Sequence, residues 1–175
     1  HTQSFDEFLL IDGAGQALPS VSLRESTFNP EVIQQNGIEA ILRGLVAQSA
    51  EAVDLKVLDD LRNTLFGPPG SGGIDLAAVD IERGRDVGLP DYNQARDDFG
   101  LARVTSFAEI TADTAVQAAL EAVYGTVDNI DVIVGGLAED KAAGAMVGEL
   151  FQTIMADQFA RLRDGDRFWY ENSQF

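Results

Sequence analysis

The chain has 175 residues, 45% of them hydrophobic, which suits one domain with a sizeable core. Its 29 acidic residues against 12 Lys and Arg leave a net charge of −17, and no basic patch offsets it, which argues against nucleic acid as a partner. With no cysteine there is no disulfide, no thiolate chemistry and no cysteine-ligated zinc or iron–sulfur site, and no apolar stretch reaches the length of a membrane span.

The acidity is spread along the chain rather than gathered in a tail and reads as a solubilising surface. Because the chain opens on His1 rather than Met, it reads as a piece of a longer protein, and the lack of a targeting segment carries no weight.

Phe5, Phe8 and Leu9 near the start stand at helical spacing. Asp12-Gly13 and Gly15 then break the pattern, and the loose alternation over 18–23 fits a short hairpin or an irregular loop. Asn29-Pro30-Glu31 is a helix start, with an N-cap and Pro at the first helical position, and Asn36-Gly37 closes it. Ile38, Ile41, Leu42 and Leu45 form the apolar stripe of the next helix. Leu55, Leu58, Leu61, Leu65 and Phe66 repeat at three and four residues. That predicts a helix ending before Gly67-Pro68-Pro69-Gly70, the best candidate hinge.

A further helix follows, stopped by Gly88-Leu89-Pro90, then a short one from the N-cap Asp91 to Gly100, then one capped by Asp113 and ending at Gly125. Residues 129–136 fit either a short strand or an extended loop. From 144 to about 163, apolar residues including Met146, Leu150, Ile154, Met155, Phe159 and Leu162 predict a long amphipathic helix. No internal repeat or low-complexity linker interrupts this mostly helical unit.

The helix within 74–101 holds the chemistry. Leu76, Asp80, Arg83 and Val87 fall at i, i+4, i+7 and i+11, so one stripe sets a carboxylate and a guanidinium between apolar residues. Such charges need a partner: each other, solvent, or a polar group outside the helix.

The run DLAAVDIERGRDVGLPDYN (75–93) resembles the signature of the animal-type haem peroxidase superfamily, the peroxidase and cyclooxygenase group. GIEAILRG (37–44), NIDVIVGGLAED (129–140) and LRDGDRFWYEN (162–172) resemble further blocks of that family in the same order. The resemblance implies a mainly α fold, a multi-helix haem peroxidase domain with few or no short strands. It also implies that 1–175 is a partial domain, the proximal half, with the distal half and its catalytic His and Arg preceding it. A cysteine-free, acidic version points to a bacterial member.

On the same resemblance, His1, the single histidine, matches the proximal iron ligand, because His1-Thr2 followed by Phe5, Phe8 and Leu9 is similar to the family's ligand element without its leading glycine. A bare terminal histidine would otherwise read as a scar. Asp80 stands where the family places the acceptor that orients the ligand's second ring nitrogen, a position often held by Asn. An ionised acceptor gives the imidazole more imidazolate character, lowers the ferric/ferrous potential and eases O–O cleavage. Arg83 matches the arginine that pairs with a haem propionate, against a structural pair with Asp80 or Asp86. Leu65, Phe66, Leu76 and Val79 resemble the apolar wall beneath the macrocycle, though the same spacing marks ordinary core.

Arg85 with Asp86, and the run RDGDR (163–167), read as buried or semi-buried ion networks. Val87 stands where many relatives carry His, at a position that reads as structural. A full calcium loop is absent from RDGDR. The resemblance places any calcium in the upstream part of the domain.

The function implied is a peroxidase: hydrogen-peroxide-dependent oxidation of halide, thiocyanate or small organic donors through a ferryl haem intermediate. The same resemblance implies haem b as the cofactor, open to covalent modification in the intact enzyme, and a secreted or extracellular location. The peroxide-activating base and cation lie upstream, so the piece alone is expected to be weakly active or inactive. A radical-forming tyrosine of the cyclooxygenase and dioxygenase branches is not assigned among Tyr92, Tyr124 and Tyr170. The alternative is an acidic helical binding or scaffold domain that keeps the fold without haem or activity.

Overall fold

The computed structural model describes residues 6–64 and 74–171 and divides the chain into two compact units, His1–Glu82 and Arg83–Phe175. The described residues are mostly helical, with two strands.

In the first unit, β1 (Glu7–Ile11) and β2 (Ala17–Ser22) form an antiparallel hairpin with Phe8 opposite Val21, Leu10 opposite Leu18 and a register shift between. The helical spacing around Phe8 and Leu9 therefore ends as strand. The Asp12 carboxylate accepts from the Ala14 and Gln16 backbone N–H groups at 2.8 Å, and Gly15 at φ +80° completes the turn that returns the chain. Helix α1 (Leu23–Ser26) opens with a capping box between Ser22 and Glu25. Helix α2 (Glu31–Asn36) starts where Asn29-Pro30 predicts, with Pro30 itself at the cap and the Asn29 side chain accepting from Glu31 N–H.

Helix α3 (Ile38–Ala47) packs on β1, but not through the expected stripe. Its buried residues are Ala40 and Gly44, while Ile38, Leu42 and Leu45 are exposed. The reason is distance: a Cβ at Gly44 would lie 1.5 Å from the Leu9 carbonyl oxygen, so only the small-residue face can approach so closely. Gln48, just past α3, accepts from Leu9 N–H and donates to the Glu7 carbonyl, serving the edge of the hairpin as a neighbouring strand would.

The helix expected from Leu55 does not form there. The Asp54 carboxylate takes Lys56 N–H at 2.8 Å, a local bond that competes with helix, and only a π-helical turn follows at Asp60–Thr64, with Leu61 buried. The expected hinge and the residues Leu65 and Phe66 lie outside the described residues.

Helix α4 (Leu76–Asp86) begins at Asp75, whose carboxylate accepts from Ala77 and Ala78 N–H. Gly88 at φ +74° and the Leu89 N–H to Gly84 carbonyl bond close it, as the Gly-Leu-Pro stop predicts. The division between the units falls within this helix.

In the second unit, α5 (Tyr92–Asp98) and α6 (Thr114–Tyr124) start at Asp91 and Asp113, whose side chains cap them, and Gly100 and Gly125 sit at positive φ beyond their ends. Residues 129–136 are neither strand nor loop throughout. The extended part is confined to a single bridge between Asp91 and Asp131, preceded by a 3₁₀ turn at Val127–Asn129 and followed by helix α7 (Val132–Ala138). Two glycines decide this packing. A Cβ at Gly135 would lie 2.3 Å from the Tyr92 ring, and one at Gly136 equally close to the Phe151 ring.

Helix α8 (Glu149–Gly165) starts later than 144 because the Glu139 carboxylate accepts from Leu150 N–H at its first turn, leaving Met146 outside and exposed. Arg96 lies between Glu139 (2.6 Å) and Glu149 (2.7 Å), and the Tyr92 hydroxyl donates to Glu139 at 2.7 Å, so the buried polar cluster is satisfied. Burial first, then the bond to Glu139, raises the Tyr92 phenol well above its usual range. Burial also pulls the Arg96 guanidinium down, but Glu149, Tyr92 and Glu139 outweigh it and hold it above its ordinary value.

Candidate functional site

The sequence-derived site converges on α4. Leu76, Val79 and Asp80 are half-buried there, and none of the helix is fully buried. Arg83 is exposed and has no ion-pair or hydrogen-bond partner among the described residues, so neither proposed structural pair, with Asp80 or with Asp86, occupies it. His1, Leu65 and Phe66 lie outside the described residues.

Two residues on, Arg85 behaves oppositely. Its Nε and Nη2 donate to the two carboxylate oxygens of Asp131 at 2.8 and 2.6 Å, and the Tyr124 hydroxyl donates to the same carboxylate at 2.9 Å. Asp131 is only 14% exposed at its side chain, Arg85 64%, so the expected network is semi-buried on one side only. Arg85 holds the Asp131 carboxyl below the usual carboxylate range. Desolvation, then the bond to Asp131, pushes the Tyr124 phenol up to about 12. Neither Asp131 nor Tyr124 is visible as an Arg85 partner in the sequence, because 46 residues separate Arg85 from Asp131.

The run RDGDR is not a buried network. Arg163 and Asp164 pair at 2.8 Å on the surface, and Arg167 lies over the Phe168 ring at 4.5 Å. Val87 is likewise exposed rather than packed. No group of three or more His, Cys, Asp or Glu able to hold a metal exists among the described residues, and none of their helices is long and apolar enough to cross a membrane.

Arg83 thus has no partner among the described residues, two positions from an arginine that is doubly bonded. The model of the animal haem peroxidase family matches residues 1–175. The chain belongs to that family. It is 44% identical over 160 residues to peroxinectin A of Dictyostelium discoideum, covering 91% of this chain and 30% of that protein. It is 42% identical over 164 residues to thyroid peroxidase of Sus scrofa, covering 90% and 17%.

Among solved structures, peroxidase A from Dictyostelium discoideum superposes with a TM-score of 0.94 at 42% identity, over 99% of this chain and 34% of that one. A fatty acid alpha-dioxygenase from Oryza sativa superposes with a TM-score of 0.85 at 25% identity, over 97% and 30%. The chain thus spans about a third or less of these relatives. The mainly helical peroxidase fold expected from the signature is the fold present.

Proposed function

We propose that this chain forms the proximal haem side of a peroxidase, within a domain whose distal half carries the peroxide-activating groups. The observation that carries the reading is Arg83, an exposed guanidinium with no partner among the described residues, one helical turn from the half-buried carboxylate of Asp80 on the family's signature helix. This donor set fits haem: a propionate is a planar carboxylate that a guanidinium grips with two parallel bonds. Haem b, when bound, would supply the iron at which hydrogen peroxide is reduced to water by electrons drawn from halide, thiocyanate or small organic donors.

The chain's own residues do the rest. His1 would supply the imidazole that holds the iron. Asp80 would accept a hydrogen bond from the second ring N–H of that imidazole, fixing its tautomer and raising its basicity. Arg83 would neutralise and anchor a propionate, while Leu76 and Val79, with Leu65 and Phe66, would keep water from the group. Secretion of the intact protein accords with peroxide and small anions as its partners.

The test is a haemin titration of the protein that contains this chain. The native protein gives a saturable Soret band, and His1→Ala shifts its position and weakens binding. Identical spectra for the two would favour the alternative, an acidic scaffold that keeps the fold without haem.

A further inference from the structure

Three aspartates stand at helix N-caps in the second unit, and one of them does not cap. Asp91 accepts from Gln94 N–H, and Asp113 from Ala115 and Val116 N–H, whereas the Asp131 side chain makes no bond to α7. An N-cap carboxylate ordinarily satisfies its own helix's free N–H groups. Asp131 instead directs both oxygens to Arg85 and one of them also to Tyr124.

Its backbone is fixed independently. Asp131 bridges Asp91, and Tyr92 N–H donates to the Ile130 carbonyl at 2.8 Å, with Tyr92 and Ile130 fully buried. The carboxylate is thus a fixed point of the second unit's core.

What it holds is the last turn of α4. A bidentate guanidinium–carboxylate pair constrains direction as well as distance. Successive helical residues are about 100° apart around the axis, so Arg85 and Arg83 are separated by about 200°. Fixing Arg85 against Asp131 therefore turns Arg83 to the opposite side of the helix, where it is exposed and has no partner among the described residues.

We propose that Asp131, backed by Tyr124, is a positioning residue that sets the rotation of α4 and thereby the direction in which Arg83 presents its guanidinium to a haem propionate. This rests on the function proposed above.

A double-mutant cycle on haemin affinity, measured by Soret titration of the protein containing this chain, tests it. Asp131→Asn should weaken haemin binding about ten-fold, the lower end of what loss of an outer-shell partner costs. Arg83→Ala should weaken it at least as much, and the double variant should be no weaker than Arg83→Ala alone. A merely structural Asp131 would give additive losses, which would overturn the proposal while leaving the haem reading intact. An Arg83→Ala protein that binds haemin as well as the native one would overturn the Arg83 role in the haem reading, and this proposal with it. Should Asp131→Asn fold poorly, Tyr124→Phe removes the backing hydroxyl and keeps the ion pair. Its smaller loss should vanish in the Arg83→Ala background, and persistence there would count against the proposal.

Discussion

The two units solve their packing in contrasting ways. In Arg83–Phe175, a buried Arg96–Glu139 pair, the Tyr92 phenol and the Asn93 amide are each met by partners inside the unit. In His1–Glu82, the hairpin and α3 approach through Ala40 and Gly44, while Ile33, Ile38, Leu42 and Val46 stay exposed. The second unit is therefore specified by buried polar groups that each need a particular partner as well as by close approach at Gly135 and Gly136, and the first chiefly by close approach at Gly44. Exposed apolar side chains in the first unit contribute little to its own stability.

The sharpest way to break that contrast is Glu139→Ala. It strips the buried Arg96 of a partner, orphans the Tyr92 hydroxyl and uncaps Leu150 N–H, and should cost about 3–5 kcal/mol in urea unfolding. A loss below about 1 kcal/mol would show that the cluster is dispensable.

Next comes Gly44→Ala. The added methyl meets the Leu9 carbonyl and must push α3 off β1, at about 1–3 kcal/mol. Leu42→Gln on the same helix, at a side chain already 53% exposed, should stay within about 0.5 kcal/mol. Equal effects of the two, read from unfolding midpoints, would mean that the apolar face rather than the glycine carries the packing.

A weaker signal lies in alkali. Tyr124 is raised to about 12 from the ordinary 10.0, so between those values the unfolded chain has lost a proton that the folded one retains. The stability from this group is fully present below pH 10 and declines as pH rises through about 12. Tyr124→Phe should flatten that part of the stability–pH curve, and a curve identical to the native one would remove the Asp131–Tyr124 bond from the account.

Much of the second unit was legible because its signals are local: Asp91 and Asp113 bond to backbone two or three residues on, and Gly88 and Gly125 end helices where only positive φ serves. The hidden parts depend on distant partners. Residues 129–136 carry an apolar run of ambiguous period, and their helix follows from Gly135 and Gly136 meeting the Tyr92 and Phe151 rings. Likewise α3 reads as a helix, but its buried face was set by the hairpin it approaches. The roles proposed for Asp80 and Arg83 come from the wording of the signature helix alone, whereas the anchoring of Arg85 by Asp131 comes from 46 residues away.

The proposed function requires Asp80 to accept a hydrogen bond from an iron-ligating His1. The ferric/ferrous reduction potential of the haem-loaded protein, compared with that of its Asp80→Leu variant, tests it most directly. Loss of an ionised acceptor should make the imidazole a poorer donor and raise the potential. An unchanged potential, with haem still bound, would contradict it.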